Sequence, residues 1–94
     1  MMAASRRADL LFASPVRRRI LRLVANRPLT AGAIARAFPT HSRPAISQHL
    51  TVLRSAGLLT LAKDGNQRIY RTNRAAVVVA LAELRDELLG HKET

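Results

Sequence analysis

The segment from Ser42 to Gly57, SRPAISQHLTVLRSAG, constrains the fold more than any other part of the chain. Ile46, Leu50 and Leu53 recur at i, i+4 and i+7, so a helix built on them carries one apolar stripe that has to be packed. Ser42 supplies an N-cap, Pro44 falls in the first turn where a missing N–H is harmless, and Gly57 sits where a left-handed residue ends a helix. The opposite face carries Arg43, Ser47, Gln48, Thr51 and Arg54, and no carboxylate. Arg and Gln pair with guanine and adenine edges, and Ser and Thr contact bases or phosphates, so this face suits a DNA major groove. The same residues also suit the solvated face of any basic helix, and the flanking segments decide between the two.

The chain of 94 residues is long enough for one domain, residues 1–94, with a core so modest that a second chain often completes it. Lys and Arg number 16 against 6 acids, a formal charge of +10 that calls for a polyanionic partner. Nearly all of that charge is Arg, which forks onto phosphate and guanine and so favours nucleic acid over a membrane surface. The absence of Cys excludes disulfides, thiolate metal sites and a Cys nucleophile. No apolar run reaches membrane-spanning length and the first residues lack a signal-peptide core, so a cytoplasmic protein with no membrane partner is expected. Phe12, Phe38 and Tyr70 are too few for a scheme of stacked single-stranded bases. With no nucleophile–base–acid set and no Gly-rich phosphate loop, the chain reads as a non-enzyme that needs no cofactor.

Residues 1–4 have no pattern and are expected to be flexible. A short helix over residues 5–13 has Leu10, Leu11 and Phe12 as its apolar part. Ser14 and Pro15 open a second helix to about Asn26, with Val16, Ile20, Leu23 and Val24 inward. Arg17, Arg18, Arg19 and Arg22 cover the rest of it, either solvated or on phosphates. Arg27-Pro28 breaks this helix. Thr30 caps a third, to about Phe38, with Ile34, Ala35 and Phe38 inward. Ala33 stands where a capping box has an acid, which predicts a frayed start. Pro39 to Ser42 then joins two short helices, the helix-turn-helix arrangement, through a turn that contains no apolar plug.

Residues 58–63 and 67–72 read as strands around the turn residues Asp64-Gly65-Asn66. Lys63, Asn66, Arg68 and Arg71 make this hairpin a candidate wing that lies on a DNA backbone. A final helix over residues 74–91 places Val77, Leu81, Leu84 and Leu88 on one face, beside Val78 and Leu89. That face is wide for a terminal helix, so it predicts a homodimerisation helix, with two reading helices set roughly 34 Å apart. The expected fold class is mainly α with a small β-hairpin (α+β): a winged helix-turn-helix of about five helices and a two-stranded wing.

Four segments in this order, SPVRRRILRLV, LTAGAIARAF, SRPAISQHLTVLRSAGLL and GNQRIYRTN, resemble the ArsR family of bacterial winged helix-turn-helix repressors. The resemblance implies a dimer built on the first and last helices, so Leu10 and Leu11 would join Val77, Leu81, Leu84 and Leu88. It implies a palindromic double-stranded operator and repression of transcription. Arg43, Ser47, Gln48 and Thr51 would face the groove, and His49, at the family's reading-helix histidine, is expected to be packed and hydrogen-bonded. Many members sense metals through a Cys motif on the third helix, and AGAIARAF has none. Other members bind zinc on the last helices; here Glu87 and His91 share a face at i, i+4, either half of an intersubunit site or an exposed pair, and no metal is expected. The expected function is a sequence-specific DNA-binding regulator, a dimeric repressor with an unnamed effector. The alternatives are a zinc-responsive repressor and an RNA- or protein-binding winged module.

Overall fold

The computed structural model describes residues 7–11 and 13–90. Its elements are α1 (helical residues 7–11), α2 (Pro15–Leu23), β1 (Leu29–Thr30), α3 (Ala31–Arg36), α4 (Arg43–Ser55), β2 (Leu59–Asp64), β3 (Gln67–Thr72) and α5 (Arg74–Leu89). Phe12 and His91 lie outside the described residues.

The helix starts are those that the capping residues dictate. Ser14, Thr30 and Ser42 each accept the amide of the residue three positions on, at 3.2, 3.1 and 3.2 Å. Asn73 caps α5 in the same way through Ala76 N at 3.1 Å, while its own side-chain amide donates to the Gly57 carbonyl. The end of α4 is a Schellman turn: Leu58 N donates to Leu53 O and Gly57 N to Arg54 O, both at 2.9 Å, with Gly57 at φ 79. Leu53 and Leu58 make the apolar contact that accompanies this motif, and both are fully buried.

Several boundaries differ from the sequence expectation: α5 ends at Leu89 rather than at residue 91 and β2 spans Leu59–Asp64 rather than 58–63, while α2 and α3 show why theirs moved. α2 ends at Leu23 rather than near Asn26, because its last carbonyls are taken from outside. The Thr72 hydroxyl donates to Leu21 O, the Thr72 amide to Val24 O and Arg74 Nη1 to Ala25 O. α3 ends at Arg36 rather than near Phe38, in a tightened turn where Ala37 N and Phe38 N reach back only three residues. Its start is not frayed: Leu29 and Thr30 pair antiparallel with Tyr70 and Ile69, which makes the sheet three-stranded, in the order β1-β3-β2. The two-stranded wing is the distal part of that sheet.

The core gathers Ile20, Val24, Ile34, Phe38, Ile46, Leu50, Leu53, Leu58 and Leu59, closed by Tyr70 and Ala80. In α2 Leu21 is buried and Leu23 is 37% exposed, the reverse of the expected stripe. Leu21 lines the side of α2 that faces α5, so the helix is covered on two flanks and its stripe is wider than one row. The turn between α3 and α4 is filled by Phe38, 2% exposed, which precedes it and supplies the plug its own residues lack. The wing root is held by Leu59, Tyr70 and Thr72, and its tip is solvated. Gly65 at φ 65, followed by Asn66 with negative φ, fits the two-residue turn that takes glycine first. Among the described residues no helix is long and apolar enough to cross a membrane.

Candidate nucleic-acid interface

α4 is seated by Ile46, Leu50 and Leu53, and this fixes which residues look outward. Arg43, Ser47, Gln48, Thr51 and Arg54 are all exposed along one side. The Thr51 hydroxyl donates to Ser47 O at 3.1 Å, so towards a ligand it offers lone pairs and a methyl group rather than a proton. Among the described residues Gln48 makes no side-chain hydrogen bond, so both halves of its amide are available.

His49 is half-buried on the flank of α4 and accepts Arg17 Nε at Nδ1, 3.1 Å away. Burial first, then the neighbouring Arg17 and His41 charges, lower its pKa, which keeps the ring neutral and able to accept. Arg17 also reaches Leu10 O, Arg18 donates to Leu11 O at 2.7 Å, and the Arg19 guanidinium lies 4.6 Å over the Phe38 ring. Three of the four arginines on α2 are thus fasteners between elements, although Arg18 and Arg19 stay exposed. Arg22 is exposed.

Lys63, Asn66, Arg68 and Arg71 are exposed on the wing. Lys63 stands directly opposite Arg68 in the ladder, so both side chains leave the same face, the one that Tyr70 shares. Arg71, one residue beyond Tyr70, leaves the other face. A groove of about 240 Å³ between α3, α4 and the wing brings Arg43 and Ser47 together with Arg68 and Tyr70. The structure therefore unites Arg43, Ser47, Arg68 and Lys63 on one side and sets Arg71 apart.

Like charges placed cross-strand cost stability, and although Asp64 follows Lys63 in the chain, no ion pair among the described residues relieves them. Between Asp9 and Asp64 the chain has no Asp or Glu, while Arg17, Arg18, Arg19, Arg22, Arg27, Arg36, Arg43, Arg54 and Lys63 all fall in that run. Glu83, Asp86 and Glu87 sit together on α5. This segregation is the signal for Arg36, which periodicity and spacing had passed over: it is exposed at the end of α3, beside Gly32 in the wall of the groove.

The predicted contact face of α5 divides. Leu11 belongs to the chain's own core, Leu10 is half-buried, and Val77 and Leu84 are half-buried along a cleft of about 400 Å³ against α1 and α2. Leu81 and Leu88 stay 54% and 65% exposed, with Val78 and Leu89 beside them. Glu87 is exposed, and among the described residues no group of three or more His, Asp or Glu is placed to hold a metal ion.

Residues 12–62 match the helix-turn-helix domain family, which is more than half of the chain. The chain is 40% identical over 82 residues to the HTH-type transcriptional regulator Rv2034 of Mycobacterium tuberculosis, covering 87% of this chain and 72% of that one. It superposes with a TM-score of 0.73 and 36% identity on a possible transcriptional regulator for arsenical resistance, covering 93% and 97% of the two chains. The chain belongs to the ArsR family of winged helix-turn-helix transcriptional regulators. A further neighbour is the homodimeric winged helix-turn-helix DNA-binding domain Mb0332 of Mycobacterium bovis, described as a possible ArsR-family transcriptional regulator, with a TM-score of 0.70, 25% identity, and 99% and 89% of the chains covered. The chain's relatives and its fold are those of transcriptional regulators rather than of enzymes. The third helix, AGAIAR, presents no metal-ligating side chain.

Proposed function

We propose that this regulator is a homodimeric repressor that lays α4 of each protomer into successive major grooves of a palindromic operator. The observation that carries the reading is the exposed, acid-free side of α4, where Gln48 keeps a free amide between Arg43 and Arg54. Ser47, Gln48, Thr51 and Arg54 select the sequence, and Arg43, Lys63, Asn66 and Arg68 hold the backbone. Arg71, on the far face of the wing, serves a neighbouring phosphate at most. Leu81 and Leu88 on α5 support pairing of two copies, as does the homodimeric Mycobacterium bovis neighbour.

Selection of bound fragments from the parent genome yields the operator. On it, Gln48→Ala costs about 1 to 3 kcal/mol and almost nothing on random duplex. An equal loss on both would remove Gln48 from base reading. Light scattering of the purified chain should give twice the chain mass, and the double variant Leu81→Asp, Leu88→Asp should give one chain mass with operator affinity sharply reduced. A parent protein that runs as a single chain overturns the dimer.

A further inference from the structure

We infer that Arg36, Arg43 and Thr30 form a seat for one backbone phosphate of the bound duplex, with Gly32 as its floor. The inference rests on the DNA-binding reading above and adds a specific anion site to it.

Gly32 lies in the first turn of α3, where alanine would favour the helix and where no left-handed φ requires glycine. Packing does not require it either. The nearest atoms a Cβ there would meet are Arg36 Nη1 at 3.8 Å, Arg43 Nη2 at 3.9 Å and Thr30 Oγ1 at 4.0 Å, all ordinary contact distances. What glycine leaves is an opening onto which two guanidiniums and a hydroxyl converge. Neither guanidinium has a hydrogen-bond or ion-pair partner among the described residues, and no carboxylate lines the adjoining groove. The Thr30 oxygen already accepts Ala33 N, so its proton is free to be donated outward.

Two cations held around one point repel each other until an anion enters, and a phosphodiester oxygen pair matches the fork of each guanidinium. The seat lies at the end of the groove that Ser47 and Arg68 also line, so a phosphate held there fixes how deeply α4 enters the major groove. Since it touches only the backbone, it contributes equally on every sequence.

The test compares parent, Arg36→Gln and Gly32→Glu for binding to the operator duplex and to a random duplex over a range of KCl concentrations. The introduced carboxylate reaches both guanidiniums and occupies the seat. Each variant should lose several-fold affinity on both duplexes by the same factor, and the slope of log K against log salt should fall by about 0.9. Thermal melting of both variants should match or exceed that of the parent, which separates loss of the seat from loss of fold. An unchanged salt slope in folded Arg36→Gln, or a loss confined to the operator, overturns the seat and leaves the operator reading intact. A parent protein with no affinity for duplex DNA removes both together.

Discussion

Thr72→Val is the perturbation whose cost follows most directly from the structure. Thr72 is 7% exposed at the root of the wing, and its hydroxyl donates to the Leu21 carbonyl near the end of α2. That carbonyl has no helical donor, because Ala25 N turns instead to Arg22 O at 3.3 Å. Valine keeps the shape and the β-branched preference for a strand, and the Thr72 amide bond to Val24 O at 3.1 Å is a main-chain bond that survives. The change therefore isolates one buried donor and leaves one buried acceptor unpaired, a loss of about 1 to 3 kcal/mol. In a domain of this size each kcal/mol moves the melting temperature by about 4 to 8 °C, so a fall on the order of 5 to 20 °C is expected. Circular dichroism melting of parent and variant measures it. A shift smaller than about 2 °C would show that the Leu21 carbonyl needs no donor from β3, and that the end of α2 is set by something other than Thr72.

Two further outcomes follow from single residues. The pKa of His49 is lowered in the folded chain, so as pH falls the unfolded chain takes up the proton first; the stability held above the ordinary value near 6.5 is lost as pH falls through the folded value. Denaturant midpoints should drop as the pH is lowered through and below about 6.5, and His49→Gln should flatten that drop; an identical profile in the variant sinks His49 as its cause. Gly57→Ala places a Cβ on a residue at φ 79 and should cost about 1 to 2 kcal/mol, although nothing lies within 4 Å of that Cβ. An unchanged melting temperature there would mean that the turn relaxes without strain.

What could be read in advance is what chain neighbours decide among themselves. α4 carries its cap, its first-turn proline, its stripe and its terminal glycine within sixteen consecutive positions, so both its extent and its outward face were legible before any tertiary contact was known. The end of α2 was not, because the groups that stop it, Thr72 and Arg74, lie about fifty positions away. β1 is two residues long, too short to show a period, and exists only because Tyr70 and Ile69 present a free edge. The arginines of α2 divide the same way. Composition identified a cationic surface, yet Arg17, Arg18 and Arg19 reach His49, the Leu11 carbonyl and Phe38, since a long stem lets a charged head serve as a fastener between helices. Net charge therefore overstates the cations available to a duplex on α2 and understates them at α3, where Arg36 matters through the company of Arg43 and the absence of any acid across the helix-turn-helix. If that division holds, neutralising Arg18 or Arg19 should lower the melting temperature and leave the salt slope of DNA binding unchanged, whereas neutralising Arg36 or Arg43 should do the reverse.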